Sequence, residues 1–431
     1  MFKGKKVAIL GFGLEGKDLA VYLLGQGADV SIFDKKNEKD LDFGGLDTNK
    51  ITLICGENYL KDGLRGFDYI FRSPGVYRYI LEIVEAESRG VKISSAIKLF
   101  FEKCPAKIVG VTGTKGKGTT STLIYEILKE GGYDVYLAGN IGKAYLELLP
   151  KLKKESIVIL ELSSFQLIDM DVSPHIGVVL NITQDHLDWH KDLKEYVDAK
   201  KNIVKFQKDD DFAVINSDYE TPKSFAKEAK GKVIFFSKTL ARKYKDNLLL
   251  RGEHNLENVA GALVVSNILK IRKESLLKIL STFKGLEHRL ELVGEKGGIK
   301  FYNDSFATGP QPTIAAINSF FEPLTLILGG YDKGLDYADL IKVITNQKNI
   351  KNIILIGDLA RKFGNMLKVA KYGGNVLDMG KETMQKIVNK ALSLTSKEGV
   401  ILLSPAAASF DMFHDYKERG KKFKEAVELL L

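Results

Sequence analysis

The sequence contains little cysteine and no long apolar run. Cys55 and Cys104 are the only cysteines among 431 residues, and their spacing matches no metal-binding or redox motif. This usage fits a reducing compartment and a fold without structural disulfides. No stretch of about 18 apolar residues occurs, so no membrane-spanning helix is expected. These absences predict a cytoplasmic protein with no membrane insertion.

Signals for export, for nucleic-acid binding and for repeats are absent as well. The apolar run near the N-terminus, Val7–Leu10, is too short for the core of a secretory signal. The net charge is +9, with 64 basic and 55 acidic residues, but the basic residues are spread along the chain. Without a basic tail or stripe, no nucleic-acid partner is expected. A chain of this length exceeds the size of one hydrophobic core, so two or three domains are expected.

Strand and helix patterns alternate along the chain, which predicts an α/β protein with doubly wound sheets. We predict three α/β domains, over residues 1–94, 95–285 and 286–431, with a linker near Ser94–Ser95. Helical patterns cover Lys17–Gly25 and Thr119–Lys129. The predicted strands are Val7–Leu10, Val30–Phe33, Ile51–Cys55, Tyr69–Arg72, Lys107–Val111, Ile157–Glu161, Ile176–Leu180, Leu324–Leu328, Ile353–Gly357 and Val400–Leu403.

The first glycine-rich loop, GFGLEG at residues 11–16, lies between a predicted strand and a predicted helix. Such glycines let backbone amides approach a pyrophosphate, and the helix N-terminus favours its charge. Asp34 follows about 20 residues later, where an acidic side chain binds a ribose or another hydroxyl. The loop alone suits NAD, a nucleotide sugar, or a turn without any ligand.

The second glycine-rich loop, GTKGKGTT at residues 113–120, also lies between a strand and a helix. It predicts a phosphate cradle in which Lys117 meets the β- and γ-phosphates of ATP. The loop departs from a full Walker A motif at two positions. Val111 stands where a glycine is usual, and Gly118 stands where serine or threonine follows the lysine. We therefore interpret it as a variant phosphate loop.

Two further residues are candidates for holding Mg²⁺ beside this loop. Glu161 ends an apolar strand in the same predicted domain, an arrangement similar to Walker B. His186 lies in Asp-His-x-Asp directly after another buried strand, at the edge where α/β sheets bind ligands. The alternatives are a helix-capping carboxylate and a structural histidine.

Together these motifs resemble the Mur ligase family, cytoplasmic enzymes that extend the peptide stem of bacterial cell-wall precursors. The resemblance covers nearly the whole chain in the same order of motifs. It rests on GTKGKGTT (113–120), GNIG (139–142), ELSSFQL (161–167), NITQDHLDWH (181–190), YVDAKKNI (196–203), GEHNLENVAGA (252–262), EHRLE (287–291), NDSFATGP (303–310), LGGYDKG (328–334) and SPAAASFDMFHDYKERG (404–420).

The resemblance implies a Rossmann-like N-terminal domain, a central P-loop-type ATPase domain with a mostly parallel sheet, and a Rossmann-like C-terminal domain. It implies a monomeric ligase that uses ATP and two Mg²⁺ ions to add D-glutamate to UDP-N-acetylmuramoyl-L-alanine in peptidoglycan synthesis. The reaction is expected to pass through an acyl phosphate and a tetrahedral intermediate.

The resemblance also assigns site residues to four groups. ATP is expected at Gly113, Thr114, Lys115, Gly116, Lys117, Gly118, Thr119, Asn255, Arg289 and Asp304. The UDP-sugar is expected at Leu14, Asp34, Ser73, Gly75 and Asn140. The incoming amino acid is expected at Thr308, Lys333, Ser409, Phe410 and Tyr416. The metal ligands are expected to be Thr119, Glu161, His186 and Lys200, with Lys200 carbamylated, and catalysis is expected of Lys117, Glu161, His186 and Lys200.

One departure from the family pattern bears on the substrate. Phe306 stands in NDSFAT where D-glutamate-adding enzymes have lysine, so one charge-assisted contact is lost. A missing cation also removes repulsion toward a basic side chain, so relaxed selectivity, for example toward lysine, is an alternative. Further alternatives are a folate-extending ligase, an NAD-linked oxidoreductase built on GFGLEG, and a non-catalytic nucleotide-binding regulator.

Overall fold

The computed structural model describes residues 2–140 and 144–431, so Ile141 and Gly142 of the GNIG motif lie outside the described residues. The chain divides into two compact units. The first unit comprises Met1–Arg242 and Glu257–Leu276, and the second comprises Lys243–Leu256 and Leu277–Leu431. The first unit contains two sheets and the second contains one, which gives the predicted three α/β sheet domains.

The N-terminal sheet is parallel, in the order β3-β2-β1-β4-β5. Its strands are rich in β-branched residues and mostly buried, which suits a sheet covered by helices on both faces. The strand order reverses between β1 and β4, and such a switch point opens a crevice for ligands. The elements are β1 Lys6–Leu10, α1 Leu14–Gly25, β2 Asp29–Asp34, β3 Ile51–Cys55, β4 Tyr69–Arg72, α2 Leu81–Ser88 and β5 Lys92–Ser94, with 3₁₀ turns Glu38–Asp40 and Thr48–Lys50.

The predicted linker near Ser94–Ser95 is a compact connection. Ser94 ends β5, and Ser95 caps α3 (Ala96–Lys103) by accepting a hydrogen bond from the Lys98 amide at 3.3 Å. Both serines are buried, and α3 contributes Phe100 to the hydrophobic core shared with the central sheet. The connection is therefore packed because α3 is amphipathic, with apolar side chains on one face.

The central sheet is parallel throughout, in the order β11-β10-β9-β6-β8-β7. The predicted strand Lys107–Val111 is one residue longer in the structure, and Ile157–Glu161 has the predicted bounds. The elements are β6 Lys107–Thr112, α4 Lys117–Glu130, β7 Val135–Gly139, β8 Ile157–Glu161, α5 Ser164–Leu167, β9 Ile176–Val179, α6 Leu193–Lys205, β10 Phe212–Asn216, α7 Glu220–Ser224, β11 Lys232–Phe236, α8 Thr239–Arg242, α9 Glu253–Ile268 and α10 Lys273–Thr282, with 3₁₀ turns Leu146–Lys151, Phe225–Lys227 and Lys245–Asn247.

The sheet of the second unit is mixed, in the order β12-β13-β17-β14-β15-β16. The edge strand β12 runs antiparallel to β13, and the remaining pairs are parallel. The elements are β12 Glu291–Lys296, β13 Ile299–Asn303, α11 Pro310–Ile317, β14 Leu324–Gly329, α12 Ala338–Asn346, β15 Ile350–Ile356, α13 Ala360–Val369, β16 Asn375–Gly380, α14 Met384–Leu394, β17 Val400–Leu403 and α15 Tyr416–Glu428.

Helix length and hydropathy bear on the predicted absence of a membrane span. In the part of the chain that the structure describes, no helix is both long and apolar enough to cross a bilayer.

Candidate functional site

A cavity of about 590 Å³ lies at the switch point of the N-terminal sheet. The loop after β1, the loop after β4 and the end of β7 form its walls, so both sheets of the first unit contribute. All five residues predicted to hold the UDP-sugar line this one cavity, and they are Leu14, Asp34, Ser73, Gly75 and Asn140.

Backbone geometry explains two glycines of the first loop. Gly11 has a φ of +85°, a conformation that side chains rarely adopt. A Cβ on Gly16 would lie 2.1 Å from the carbonyl oxygen of Gly11, so only glycine lets α1 approach β1 this closely. The Ser73 hydroxyl donates to the same Gly11 carbonyl at 2.6 Å, which joins the loops after β1 and β4.

The Asp34 carboxylate is fixed by backbone amides at the cavity wall. Its two oxygens accept from Phe12 N at 2.7 Å and from Lys36 N at 2.8 Å. Glu15, in the first turn of α1, accepts from the Gln166 amide of the central domain at 2.7 Å, and burial raises the pKa of the Glu15 carboxyl. The cavity therefore combines the N-terminus of α1 with two carboxyl groups, those of Asp34 and Glu15, that hydrogen bonds fix in place.

A buried ion pair joins the two sheet domains behind this cavity. The Arg72 guanidinium contacts both oxygens of Asp169, at 3.1 and 3.3 Å, and also donates to the Val76 and Phe165 carbonyls. Arg72 is 1% exposed. Because the Asp169 carboxylate carries the opposite charge and the two carbonyls accept further hydrogen bonds, the buried Arg72 charge is compensated.

The phosphate loop connects β6 to α4, with Gly116 as the N-cap of that helix at a φ of +86°. The Lys117 ammonium donates to the carbonyls of Gly113 and Thr114 at 3.0 and 3.1 Å, so it lies over the loop. The loop is also tied to the segment after β9, because Thr114 N donates to the Asn181 carbonyl at 2.7 Å. Gly118 is buried in the first turn of α4, and Thr119 follows it half-buried.

Lys200 extends from α6 to the same loop. Its ammonium nitrogen lies 3.1 Å from the Gly113 carbonyl and 3.4 Å from Thr112 Oγ1, and the residue is 2% exposed. Burial lowers the pKa of Lys200 well below its ordinary value, and the neighbouring Lys117 charge lowers it further. Lys200 therefore differs from a solvated surface lysine in two ways: its side chain is buried, and its pKa is lowered.

Glu161 ends β8 beside the loop, because it pairs in register with Val111 of β6. It is buried, and its charge acts on Lys200. His186 lies on the surface of this region, with its ring centroid 6.4 Å from that of Tyr196, whose ring contacts Lys200. Its side chain is 46% exposed, its ring centroid lies 4.8 Å from that of Phe165, and its φ is +53°. The structure thus brings Lys117, Lys200 and Glu161 together and leaves His186 on an exposed turn.

The donor set determines whether Mg²⁺ fits here. Among residues 2–140 and 144–431, no group of three or more His, Cys, Asp and Glu side chains is placed to hold a metal. The predicted ligands include only two such residues, Glu161 and His186, so further oxygen donors are needed. An unmodified lysine donates no oxygen, but burial lowers the pKa of Lys200, which favours the neutral amine that addition of CO₂ requires. A carbamate at Lys200 would add oxygen donors, and together with Thr119 the residues would then fit Mg²⁺.

In the second unit, three of the predicted residues surround Phe306. The Arg289 guanidinium lies 3.8 Å from the centre of the Phe306 ring, and the Tyr416 ring meets Phe306 edge-on at 5.0 Å. The Thr308 amide donates to the Phe306 carbonyl at 2.8 Å. Phe306 therefore occupies the centre of this predicted site as an aromatic contact for Arg289.

Asp304 is buried beside this cluster. Its oxygens accept from Leu290 N at 3.2 Å and from Ser404 Oγ at 2.7 Å. Burial raises the pKa of the Asp304 carboxyl to about 7. Asn255, the other predicted ATP residue of this unit, is buried and donates to the Arg251 carbonyl at 2.6 Å.

The remaining predicted amino-acid residues form a second group in this unit. The Lys333 ammonium lies 5.6 Å from the centre of the Phe410 ring, which is 62% exposed, and Ser409 is buried. Sequence reasoning missed Arg419, which is 1% exposed and donates to Ser305 O at 2.8 Å and Ala407 O at 3.0 Å. Arg419 thereby fixes the loops that carry both predicted groups.

Three residues of the first unit were also missed. Tyr196 donates or accepts a hydrogen bond with Thr114 Oγ1 at 2.8 Å, and the Lys200 ammonium lies 4.8 Å from the centre of its ring. Its position four residues before Lys200 is the helical spacing that would have indicated it. Tyr77 gives no such signal, because its hydrogen bond joins segments 118 residues apart, whereas His190 contacts Glu195 only five residues away.

The architecture defines an α/β protein in which a phosphate loop and a switch-point cavity share one compact unit. Family comparisons agree with it along the chain. Residues 5–95 match the Mur ligase MurD-like N-terminal domain, residues 111–243 the Mur ligase middle domain, and residues 288–407 the Mur ligase, glutamate ligase domain.

Curated relatives extend over nearly the whole chain. The sequence is 43% identical to UDP-N-acetylmuramoylalanine--D-glutamate ligase of Acetivibrio thermocellus, over 99% of this chain and 96% of the relative. It is 38% identical to the enzyme of the same name from Ruminiclostridium cellulolyticum, over 99% and 97%. The chain belongs to the Mur ligase family.

Solved structures share the fold at lower sequence identity. UDP-N-acetylmuramate-alanine ligase MurC of Thermotoga maritima matches with a TM-score of 0.59 and 18% identity, over 99% of this chain and 100% of that chain. MurF ligase of Thermotoga maritima, in complex with ADP, matches with a TM-score of 0.58 and 17% identity, over 100% and 96%. The three-domain α/β fold predicted from the sequence is confirmed.

Proposed function

We propose that the protein joins D-glutamate to UDP-N-acetylmuramoyl-L-alanine in an ATP-dependent, amide-bond-forming reaction of peptidoglycan precursor synthesis. Family membership and the names of relatives at 38–43% identity support this reaction. The predicted residue roles, the monomeric state, the cytoplasmic location and the domain boundaries at residues 94/95 and 285/286 remain predictions within this proposal.

One structural observation carries the proposal. Asn140 lines the cavity, and its backbone amide lies 3.4 Å from the carbonyl oxygen of Glu161, whose strand neighbours the phosphate loop. A substrate whose nucleotide fills the cavity therefore has its far end directed along this sheet edge toward Lys117 and Lys200. That arrangement suits transfer between a UDP-linked carboxylate and ATP, and it is not needed by an NAD-linked oxidoreductase.

The proposed reaction has two steps, a phosphoryl transfer to the substrate carboxylate and an acyl transfer to the amine. The substrate carboxylate attacks the γ-phosphorus of ATP, which releases ADP and forms an acyl phosphate. The amine of D-glutamate then attacks the carbonyl carbon, a tetrahedral intermediate forms, and inorganic phosphate leaves as the amine loses a proton. Lys117 would neutralise the transferring phosphoryl group, because a positioned cation stabilises charge that develops in the transition state.

Bound Mg²⁺ would supply Lewis-acid stabilisation of phosphate oxygens, held by Glu161, Thr119, His186 and a carbamylated Lys200. Burial suits Lys200 to this role, because a lowered pKa favours the neutral amine that adds CO₂. A neutral amine that adds CO₂ and loses a proton becomes a carbamate anion. That anion would attract the Lys117 cation, whereas a protonated Lys200 would be repelled by it.

Phe306 bears on which amino acid is accepted. Its ring contacts Arg289 and Tyr416 and provides no cation of its own. We infer that Lys333 supplies the positive charge for the side-chain carboxylate of D-glutamate. A substrate panel is needed because an aromatic ring also accepts a cationic side chain.

Phosphate release from ATP tests the function. The assay contains UDP-N-acetylmuramoyl-L-alanine and either D-glutamate, L-glutamate, D-lysine or L-lysine. We expect release that depends on both the UDP-sugar and D-glutamate, and Lys117→Ala should abolish it. Release with lysine as well would show relaxed selectivity, with Phe306→Lys as the variant that restores discrimination. Absence of release with every pair would refute the ligase proposal and favour a nucleotide-binding regulator.

A further inference from the structure

A chain of hydrogen bonds runs from the cavity wall into the central domain. The hydroxyl of Tyr77, which lines the cavity, donates to Glu195 Oε1 at 2.8 Å. Glu195 Oε2 lies 3.2 Å from His190 Nδ1, and His190 Nε2 lies 2.9 Å from Ser164 Oγ. Ser164 begins α5, three residues after Glu161. Four side chains therefore connect the cavity with the strand end that carries Glu161.

Protonation gives this chain one direction. Burial lowers the pKa of His190, which favours the neutral imidazole. An ionised carboxylate only accepts hydrogen bonds, so His190 Nδ1 carries the hydrogen toward Glu195 and Nε2 accepts from Ser164. Burial raises the pKa of Tyr77 to about 12, so its hydroxyl remains a donor. Tyr77 at one end thus donates to the Glu195 carboxylate, and Ser164 at the other end donates to the His190 imidazole.

Aromatic rings enclose the histidine at the middle of the chain. The Phe165 ring stacks on His190 at 5.6 Å with an interplanar angle of 18°. Trp189 and Tyr196 meet the imidazole edge-on at 4.7 and 5.4 Å. The His190 side chain is fully buried, and hydrogen bonds in such dry surroundings hold side chains firmly. His190 therefore has little freedom to rotate.

The backbone beside His190 sets the position of His186. The amides of Trp189 and His190 both donate to the His186 carbonyl, at 3.2 and 3.0 Å. The His190 side chain fixes one end of this tight turn, and His186 lies at its other, exposed end. A shift of His190 along the chain therefore moves the turn that presents the exposed His186 imidazole.

We propose that Tyr77, Glu195 and His190 are positioning residues that couple a substrate in the cavity to the placement of His186. The inference rests on the proposed function, in which the cavity binds the UDP-sugar and His186 contacts Mg²⁺. A ligand that packs on Tyr77 restricts the Tyr77 hydroxyl to its hydrogen bond with Glu195. Through His190, this restriction reaches the turn that carries His186. By linkage, the metal and the UDP-sugar then increase each other's affinity by the same factor.

The protein contains a reporter for this coupling. Trp189 is the only tryptophan of the sequence. Its indole nitrogen lies 3.5 Å from the Gly75 carbonyl, and its ring meets Tyr77 edge-on at 5.2 Å. We therefore expect the fluorescence of Trp189 to respond both to the cavity and to the turn of His186, and paramagnetic Mn²⁺ at that turn to quench it.

The experiment is a titration of the full chain with MnCl₂, followed by Trp189 emission, with and without UDP-N-acetylmuramoyl-L-alanine. ATP and D-glutamate are omitted, so no turnover is involved. In the unsubstituted protein we expect the UDP-sugar to tighten Mn²⁺ binding by about 5-fold, at the lower end of typical coupling. His186→Ala should remove the saturable quenching, which identifies the site that is read.

Substitutions along the chain test the coupling itself. Tyr77→Phe and Glu195→Gln should each reduce the 5-fold factor to near 1, and the double variant should lose nothing further, because both remove the same connection. His190→Asn keeps an N–H near the position of Nδ1 and should retain part of the coupling, whereas His190→Ala should lose it. Tyr79→Phe is the matched control, since Tyr79 is half-exposed and its hydroxyl makes no hydrogen bond within the described residues.

The outcomes separate the two proposals. A factor that stays near 5 in Tyr77→Phe, or that falls equally in Tyr79→Phe, would overturn the positioning role. Additive losses in the double variant would overturn it too. If the unsubstituted protein releases phosphate with D-glutamate but shows no coupling, only this inference fails. If the UDP-sugar neither binds nor supports phosphate release, the proposed function itself fails.

Discussion

Replacing Asp304 by asparagine should make the second unit more stable at alkaline pH while impairing ATP use. The carboxyl group is 7% exposed, and burial raises its pKa from an ordinary value of 3.8 to about 7. Between these two values the unfolded chain has released the proton and the folded chain keeps it. Stability therefore falls as the pH rises from about 4 to about 7, and the full cost is present above pH 7.

The magnitude follows from the two pKa values. Each pKa unit corresponds to about 1.36 kcal/mol, so ionised Asp304 costs the folded state up to about 4 kcal/mol. Asparagine is nearly isosteric and keeps a carbonyl oxygen for the Leu290 amide. Its NH₂ group would face Ser404 Oγ, which lies 3.0 Å from Thr313 Oγ1 and can donate there instead. The variant therefore removes the charge without leaving an obvious buried polar group unpaired.

Urea unfolding at pH 5 and pH 8, followed by far-UV circular dichroism, measures the effect. Hydrogen exchange in β13 and β17 identifies the transition of the second unit. We expect Asp304→Asn to gain about 3 kcal/mol more at pH 8 than at pH 5, relative to the unsubstituted protein. Asp339→Asn, at an exposed position in the first turn of α12, is the matched control and should show no such pH dependence.

A gain that is equal at both pH values, or a loss of stability at pH 8, would refute this reasoning. The same variant should raise the KM for ATP in the phosphate-release assay, because Asp304 is predicted to contact the nucleotide. Stability and activity would then move in opposite directions, as is common where a site contains a buried charge.

Three further predictions concern the first unit. Lys200→Met should lower kcat by about 100-fold or more, and CO₂-free buffer should slow the unsubstituted protein but not the variant. Asp169→Ala leaves the buried Arg72 charge unpaired and should reduce the free energy of unfolding, measured in urea, by about 3–5 kcal/mol. Gly16→Ala places a Cβ against the Gly11 carbonyl and should cost about 1–3 kcal/mol and weaken UDP-sugar binding measured by calorimetry.

Each of these has a control on the same element or surface. Lys194→Met removes an exposed lysine of the same helix α6 and should leave kcat unchanged. Asp171→Ala removes an exposed partner of Lys98 and should cost at most about 1 kcal/mol. Gly25→Ala adds a Cβ with open space around it at the end of α1 and should preserve binding. Equal effects in a variant and its control would contradict the corresponding prediction.

Local patterns predicted most of the strands that matter for the site. The strands Ile51–Cys55, Tyr69–Arg72 and Ile157–Glu161 have the predicted bounds because their apolar runs end at turn residues. The hairpin of β12 and β13 was not predicted, since its edge strand is only half-buried and carries charged residues. Edge strands lack the continuous apolar run on which the prediction depended.

The residues alone predict a site only where one segment carries its own chemistry, as in the two glycine-rich loops. The resemblance to the family assigns five residues to the UDP-sugar, and these five line one cavity. Contacts between distant segments left no such pattern. Tyr77 and Glu195, for example, are 118 residues apart, and their hydrogen bond depends on how two sheet domains pack. The connection could be found only from the folded chain.

Burial of ionisable groups at the predicted sites is itself an argument for function. Lys200 and Asp304 are both buried, and burial shifts the pKa of each toward its neutral form, which costs the folded protein stability. An apolar residue at either position would avoid that cost, so an ionisable residue there indicates a functional site. Each group adjoins a loop at the end of a parallel strand, where α/β sheets bind their substrates. The proposed carbamate at Lys200 and the proposed nucleotide contact of Asp304 would each use an ionisable group that an apolar residue could not supply.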